Sequence, residues 1–173
     1  VSAVAPGFRR RGSCPRLQPG TMNAYLVERF VHLLGAFGFV AAHGATAAIT
    51  FKLRKESDPT RVRALLDLSR STRGVMHGSF TLLLLGGIGA GFHGKWWSSG
   101  WIWTALGLLI VLFAAAFPLA VPYFKALRAA AESEPPNQAE LERLLRSPRG
   151  LLLAGVETLG ILVILYLMTF KPF

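Results

Sequence analysis

Six ionisable side chains fall within long apolar stretches of the chain: Glu28, His32, His43, His77, His93 and Glu157. A charge in a bilayer core costs about 2.5–3.5 kcal/mol on insertion scales, so such groups turn inward and find a partner. Counted from the basic ends at about 1.5 Å per helical residue, His43 lies about 13 Å deep, Glu157 about 9 Å and His77 about 6 Å. These three could converge. His32 and His43 are eleven residues apart, which places them on one helix face, about 20° apart in azimuth and about 16 Å apart along the axis. His32 has Glu28 one turn above it and His93 as its histidine candidate at the outer end.

Several chemistries fit these residue types. Two neutral imidazoles from different helices in a dry slot are what a b-type haem needs, with His43 and His77 the better pair and His32 and His93 the poorer. A depth difference of about 7 Å between His43 and His77 would have to be absorbed by helix tilt. His43, His77 and Glu157 offer donors for copper or zinc, without a cysteine or a methionine cluster to support them. Glu157 is also a candidate transport carboxylate, since Ala154, Thr158 and Gly160 leave room around it. The plain reading stands beside these: the histidines hydrogen-bond to backbone or to Glu157 and hold helices together. No catalytic residue emerges. The single Cys14 excludes an internal disulfide and a CxxC pair within the chain.

The elements that must position these groups follow from composition. With 52% of its 173 residues apolar and 16% charged, and a mean hydropathy of +0.43, the chain is too apolar for an ordinary soluble domain. A soluble catalytic domain is excluded. The excess of basic over acidic residues, 19 to 9, is that of membrane topology rather than of a nucleic-acid partner. A hydrocarbon core about 30 Å thick needs about 20 helical residues, and four stretches supply them, at about 26–51, 75–92, 101–124 and 151–170. No ten-residue barrel alternation and no internal repeat is present, so the expected fold is an all-α integral membrane four-helix bundle.

Twelve Lys and Arg residues fall in the loops after spans one and three, whereas the opposite side holds Arg29, Lys95 and Lys171 when counting starts at Met22. The positive-inside rule then predicts both termini outside and both long loops in the cytoplasm. Residues 1–21, rich in Pro, Gly and Arg, are expected to be a disordered or misassigned N-terminal extension, leaving 22–173 as one transmembrane domain. Span one is longer than a signal-peptide core and is expected to be retained.

Local signals refine this outline. Asp58 and Pro59 predict a helix start well before Val75, with Val62, Leu65, Leu66 and Ser69 on one face. Ala139 to Arg146 predicts a short amphipathic helix at the headgroups. Trp96, Trp97, Trp101 and Trp103 predict an outer-interface anchor, with a ligand-binding aromatic box as the alternative. Pro118 and Pro122 can kink span three near its cytoplasmic end, either opening a crevice or being simply tolerated. Gly89, Gly91 and Gly94 match G-x-G-x-x-G, and Gly89 to Lys95 reads G-x-x-x-x-G-K. Both lack the strand before and the helix after, and Trp96 stands where the phosphate loop needs Ser or Thr. Close packing of small residues on spans one and two explains them instead.

Three runs carry a family resemblance: Arg29 to Gly38 (RFVHLLGAFG), Phe51 to Lys55 (FKLRK) with Asp58 and Pro59, and Trp96 to Trp103 (WWSSGWIW). Over about Met22 to Arg128, and more loosely in the last span, the chain resembles a domain-of-unknown-function family of small bacterial integral membrane proteins with four helices. At longer range it is similar to copper-resistance D-like and coproporphyrinogen-type membrane proteins, in which an early His of span one is a haem or metal candidate. That similarity implies His32 rather than His43, and the nearer family implies no established activity. The expected protein is therefore an accessory or structural multi-pass protein of the bacterial inner membrane. A haem b electron-transfer or oxidase-like protein and a small proton- or metal-coupled transporter subunit are the alternatives. Its partners are the lipid bilayer and, still open, a homo-oligomer or a membrane complex.

Overall fold

Asp58 sets where the second helix begins. Its backbone is extended, its carboxylate accepts from the Thr60 N–H at 2.9 Å, and Pro59 takes the first helical position, where a missing N–H costs nothing. From there the helix runs unbroken to Gly94, so the amphipathic turns before Val75 and the span after it are one element.

The computed structural model describes residues 19–135 and 137–172. Its elements are α1 (Pro19–Leu53), α2 (Pro59–Gly94), a single 3-10 turn (Trp96–Ser98), α3 (Gly100–Glu132), α4 (Gln138–Arg146) and α5 (Arg149–Phe170). α1, α2, α3 and α5 are each long and apolar enough to cross a membrane, and each contains one expected span. The chain is an all-α protein with the architecture of a four-helix membrane bundle. The expectation for residues 1–21 falls, up to residue 18, outside the described residues.

Thirty-six helical residues in α2 reach about 54 Å, well beyond a hydrocarbon core of about 30 Å. The surplus is the basic end. There Leu53, Val62, Leu66, Leu127, Ala131 and Leu141 form the core of the protein, each at most 4% exposed. α4 belongs to that core. Its leucines, Leu141, Leu144 and Leu145, are buried against the protruding ends of α1, α2 and α3 instead of facing headgroups as its amphipathic pattern suggested. Helix ends that outrun the bilayer offer a dry surface closer than lipid. Polar ties fasten the same region: Arg63 donates to the Ala131 carbonyl at 2.7 Å, Arg128 to Asp67 at 2.7 Å, Gln138 to the Ser57 carbonyl at 2.9 Å and Arg54 to the Ser147 carbonyl at 3.0 Å.

Within the apolar region α1 packs along α2, and α3 along α5. Two glycines make the first of these pairings close. A Cβ on Gly86 would stand 2.5 Å from the backbone nitrogen of His32 and 2.7 Å from the carbonyl of Glu28, and one on Gly35 would collide with the backbone of Leu83. α3 stays helical through Pro118 and Pro122, although each proline removes the N–H that the carbonyl four residues earlier would have received.

Candidate intramembrane site

His43 projects from α1 onto α5 and is 8% exposed. Its Nδ1 faces the Glu157 Oε2 at 3.3 Å, and its Nε2 meets the Thr158 hydroxyl at 3.2 Å. Proton counting fixes the direction of the second contact. The single hydroxyl proton of Thr158 goes to the Ala154 carbonyl at 2.6 Å, so Nε2–H donates and Thr158 accepts. A bare Nδ1 against a carboxylate would set two lone-pair surfaces together, so one proton lies between Nδ1 and Glu157, whichever of the two carries it. The sequence pairing of His43 with Glu157 therefore holds. Thr158, seen in the sequence only as space beside Glu157, is the partner that was missed; its signal was adjacency to a carboxyl within an apolar span, one turn after Ala154.

His77 does not join them. Its side chain is exposed on α2. His77 stands nine residues before Gly86, half a turn around the helix at 100° per residue, and Gly86 is the residue seated on α1. The packing that brings α1 and α2 together thus turns His77 outward. Among the described residues no three His, Cys, Asp or Glu side chains gather as a metal would need.

Near the other end of α1, His32 donates from Nδ1 to the Leu83 carbonyl at 2.8 Å, which leaves the Nε2 of the neutral ring as a lone pair. Its ring lies over Gly87, where a Cβ would stand 2.7 Å from Nδ1. His93, the expected partner of His32, is instead bound at Nδ1 by Glu28 Oε2 at 2.7 Å. Glu28 in turn lies over Gly89, where a Cβ would be 2.7 Å from its carboxyl carbon. Glycines on α2 make room for both polar side chains of α1. For an axial haem pair from His43 and His77 the fit is poor: His43 has both nitrogens committed to α5, and His77 faces away from it. His32 and His93 are each held at Nδ1 and keep Nε2 without a protein partner among the described residues, and exposed His77 is held at neither nitrogen.

The tryptophans assemble at the end of the bundle opposite α4. Trp96 packs against Trp101 at 5.9 Å between ring centres and Trp97 against Trp103 at 5.5 Å, each pair tilted by 56°, and the Trp103 indole N–H donates to the Trp97 carbonyl at 2.9 Å. Lys171, just after α5, places its Nζ 4.2 Å from the centre of the Trp96 ring and 5.5 Å from that of Trp101. The aromatic cluster thus already holds a cation of its own chain.

A family model described as a predicted integral membrane protein (DUF2269) matches residues 26–172. The chain belongs to that family. The match takes in all the polar groups above, from Glu28 to Lys171, and the family description states membrane insertion and no activity. No curated protein and no solved structure matches the chain, so the similarity to copper-resistance D-like proteins gains no support from these comparisons.

Proposed function

We propose that this member of the DUF2269 family is an accessory, non-catalytic protein of the bacterial cytoplasmic membrane, threaded with both termini outside and the α1–α2 and α3–α5 connections inside. Its intramembrane polar groups join helices. The observation that carries this reading is that His43, His32 and Glu28 each engage a different helix from their own, at 2.7–3.3 Å, and share no common centre. Charge supports the orientation: Lys52, Arg54, Lys55, Arg61 and Arg63 cluster at one connection and Arg143, Arg146 and Arg149 at the other.

Two measurements test it. In a Cys14→Ser background, cysteines placed at the exposed Lys55 and Gln138 should resist an impermeant thiol reagent in intact cells, while one at Ser98 should label; the reverse pattern overturns the topology. A reduced-minus-oxidised spectrum after haem-replete expression should lack Soret and α bands. Stoichiometric bands lost in His32→Ala or His43→Ala would replace the structural role with a redox one.

A further inference from the structure

Between α3 and α5 lies a groove of about 650 Å³, within the range of small-ligand sites. Its walls are apolar, from Leu112, Ala116, Leu119, Leu153 and Val156, and its two ends differ in chemistry. One end is closed by α4 and carries Glu140, Arg143 and Arg149; the other reaches Glu157, whose Oε2 faces His43 at 3.3 Å. The opening exists because Ala115, Ala116, Pro118 and Pro122 are too short to reach α5.

The charges at the basic end are unequal. Arg143 is neutralised by Glu140, which it grips through two hydrogen bonds at 2.6 and 2.7 Å. Arg149 is exposed and has no acidic partner among the described residues. It is also the first residue of the 22-residue α5, whose helix dipole adds partial positive charge at the same place, although the Arg149 N–H itself donates to the Ser147 hydroxyl at 3.3 Å. Arg149 to Val156 spans seven residues, about 10 Å along the helix axis. A cation therefore sits at headgroup level with an apolar slot running from it toward the bilayer centre, which is the orientation a lipid has before it binds.

We propose that this groove is a binding site for one anionic phospholipid, its phosphate on Arg149 and an acyl chain between α3 and α5. Zwitterionic lipids fit the slot but lack the net charge for the unpaired guanidinium, and basic pockets between membrane helices select anionic headgroups for that reason. Arginine adds a fork that matches two phosphate oxygens.

The test uses the full chain in mild detergent, titrated with phosphatidylglycerol or phosphatidylcholine of matched acyl chains and read by native mass spectrometry. Phosphatidylglycerol should be retained roughly five- to tenfold better. Arg149→Gln should abolish that preference and Arg149→Lys should keep most of it. Ala116→Leu, which fills the slot, should weaken both lipids alike. A diazirine-bearing phosphatidylglycerol should crosslink within Leu112–Pro122 and Leu152–Val156 of the unmodified chain, a readout that stands even where a variant does not fold. Equal retention of the two lipids, an unchanged preference in Arg149→Gln, or crosslinks confined to other faces would overturn the proposal. Displacement of the lipid by soluble glycerol phosphate would reduce the site to an anion site without an acyl slot and would overturn it equally.

Discussion

The Thr158 hydroxyl gives its proton to the Ala154 carbonyl at 2.6 Å and takes one from Nε2 of His43 at 3.2 Å, so a single threonine ties an imidazole of α1 to the backbone of α5. In lipid no water replaces either partner. Thr158→Val keeps the shape and strands the His43 N–H, for which buried donors in proteins lose about 1–3 kcal/mol. Measured couplings inside membranes are smaller, about 0.6 kcal/mol on average and about 1.7 at most. We expect a loss of about 1–2 kcal/mol for Thr158→Val in detergent unfolding and little loss for Thr158→Ser. A cycle with His43→Phe should return a coupling of about 0.6–1.7 kcal/mol; zero coupling would mean that the contact does not hold α1 to α5.

Glycine positions should divide sharply by what faces them. A Cβ on Gly86 meets backbone atoms of His32 and Glu28, which cannot rotate away, whereas one on Gly44 meets nothing within 4 Å. Gly86→Ala should force α1 and α2 apart and lower the melting temperature. Gly44→Ala should be neutral or stabilising by about 0.5–1 kcal/mol, because alanine suits a helix better. Comparable melting temperatures for the two variants would show that the close approach at Gly86 does not set the α1–α2 packing.

What the sequence revealed about the site was depth, and what it concealed was azimuth. Depth is residue count times helical rise, and it correctly brought His43 to Glu157. Rotation of a helix depends on which face docks, and the seating of Gly86 on α1 turned His77 outward, so the depth difference of about 7 Å was never the deciding obstacle. The same limit explains Glu28 and His93: His93 was assigned to His32 by level, while the Leu83 carbonyl, a backbone acceptor with no residue-type signature, had taken His32. Local signals fared better. Asp58 with Pro59 marked the start of α2, and the Leu141, Leu144 and Leu145 spacing marked α4, while Pro118 and Pro122 line the crevice between α3 and α5 as short side chains of an unbroken helix. That Arg149 closes one end of this crevice depends on α4 folding back onto the bundle, which no local pattern in the sequence encodes.

The core at the basic end should govern the stability of the connections. Leu141 is fully buried among residues of that cluster, and truncation of a buried leucine costs about 2–5 kcal/mol. Leu141→Ala should release α4, seen as faster hydrogen exchange and protease cleavage across residues 138–146, with the α1–α2 pair still protected. Unchanged exchange in α4 would mean that the polar ties from Gln138 and Arg54 suffice to hold it.

At the opposite end, the last helix is closed by a cation. Lys171 adopts a left-handed backbone, φ 46°, that ends α5 and carries its Nζ to 4.2 Å from the Trp96 ring centre. Contacts of this kind contribute about 0.5–2 kcal/mol, more when desolvated. Lys171→Gln keeps a polar side chain and removes the charge. It should shift the tryptophan emission, loosen exchange at residues 96–98 and lower stability by about 0.5–1 kcal/mol, at the exposed end of that range, while Lys171→Arg should preserve all three. Emission and exchange unchanged in Lys171→Gln would show that the aromatic cluster closes this end without the lysine, leaving Tyr25, at 6.1 Å from Trp96, as its link to α1.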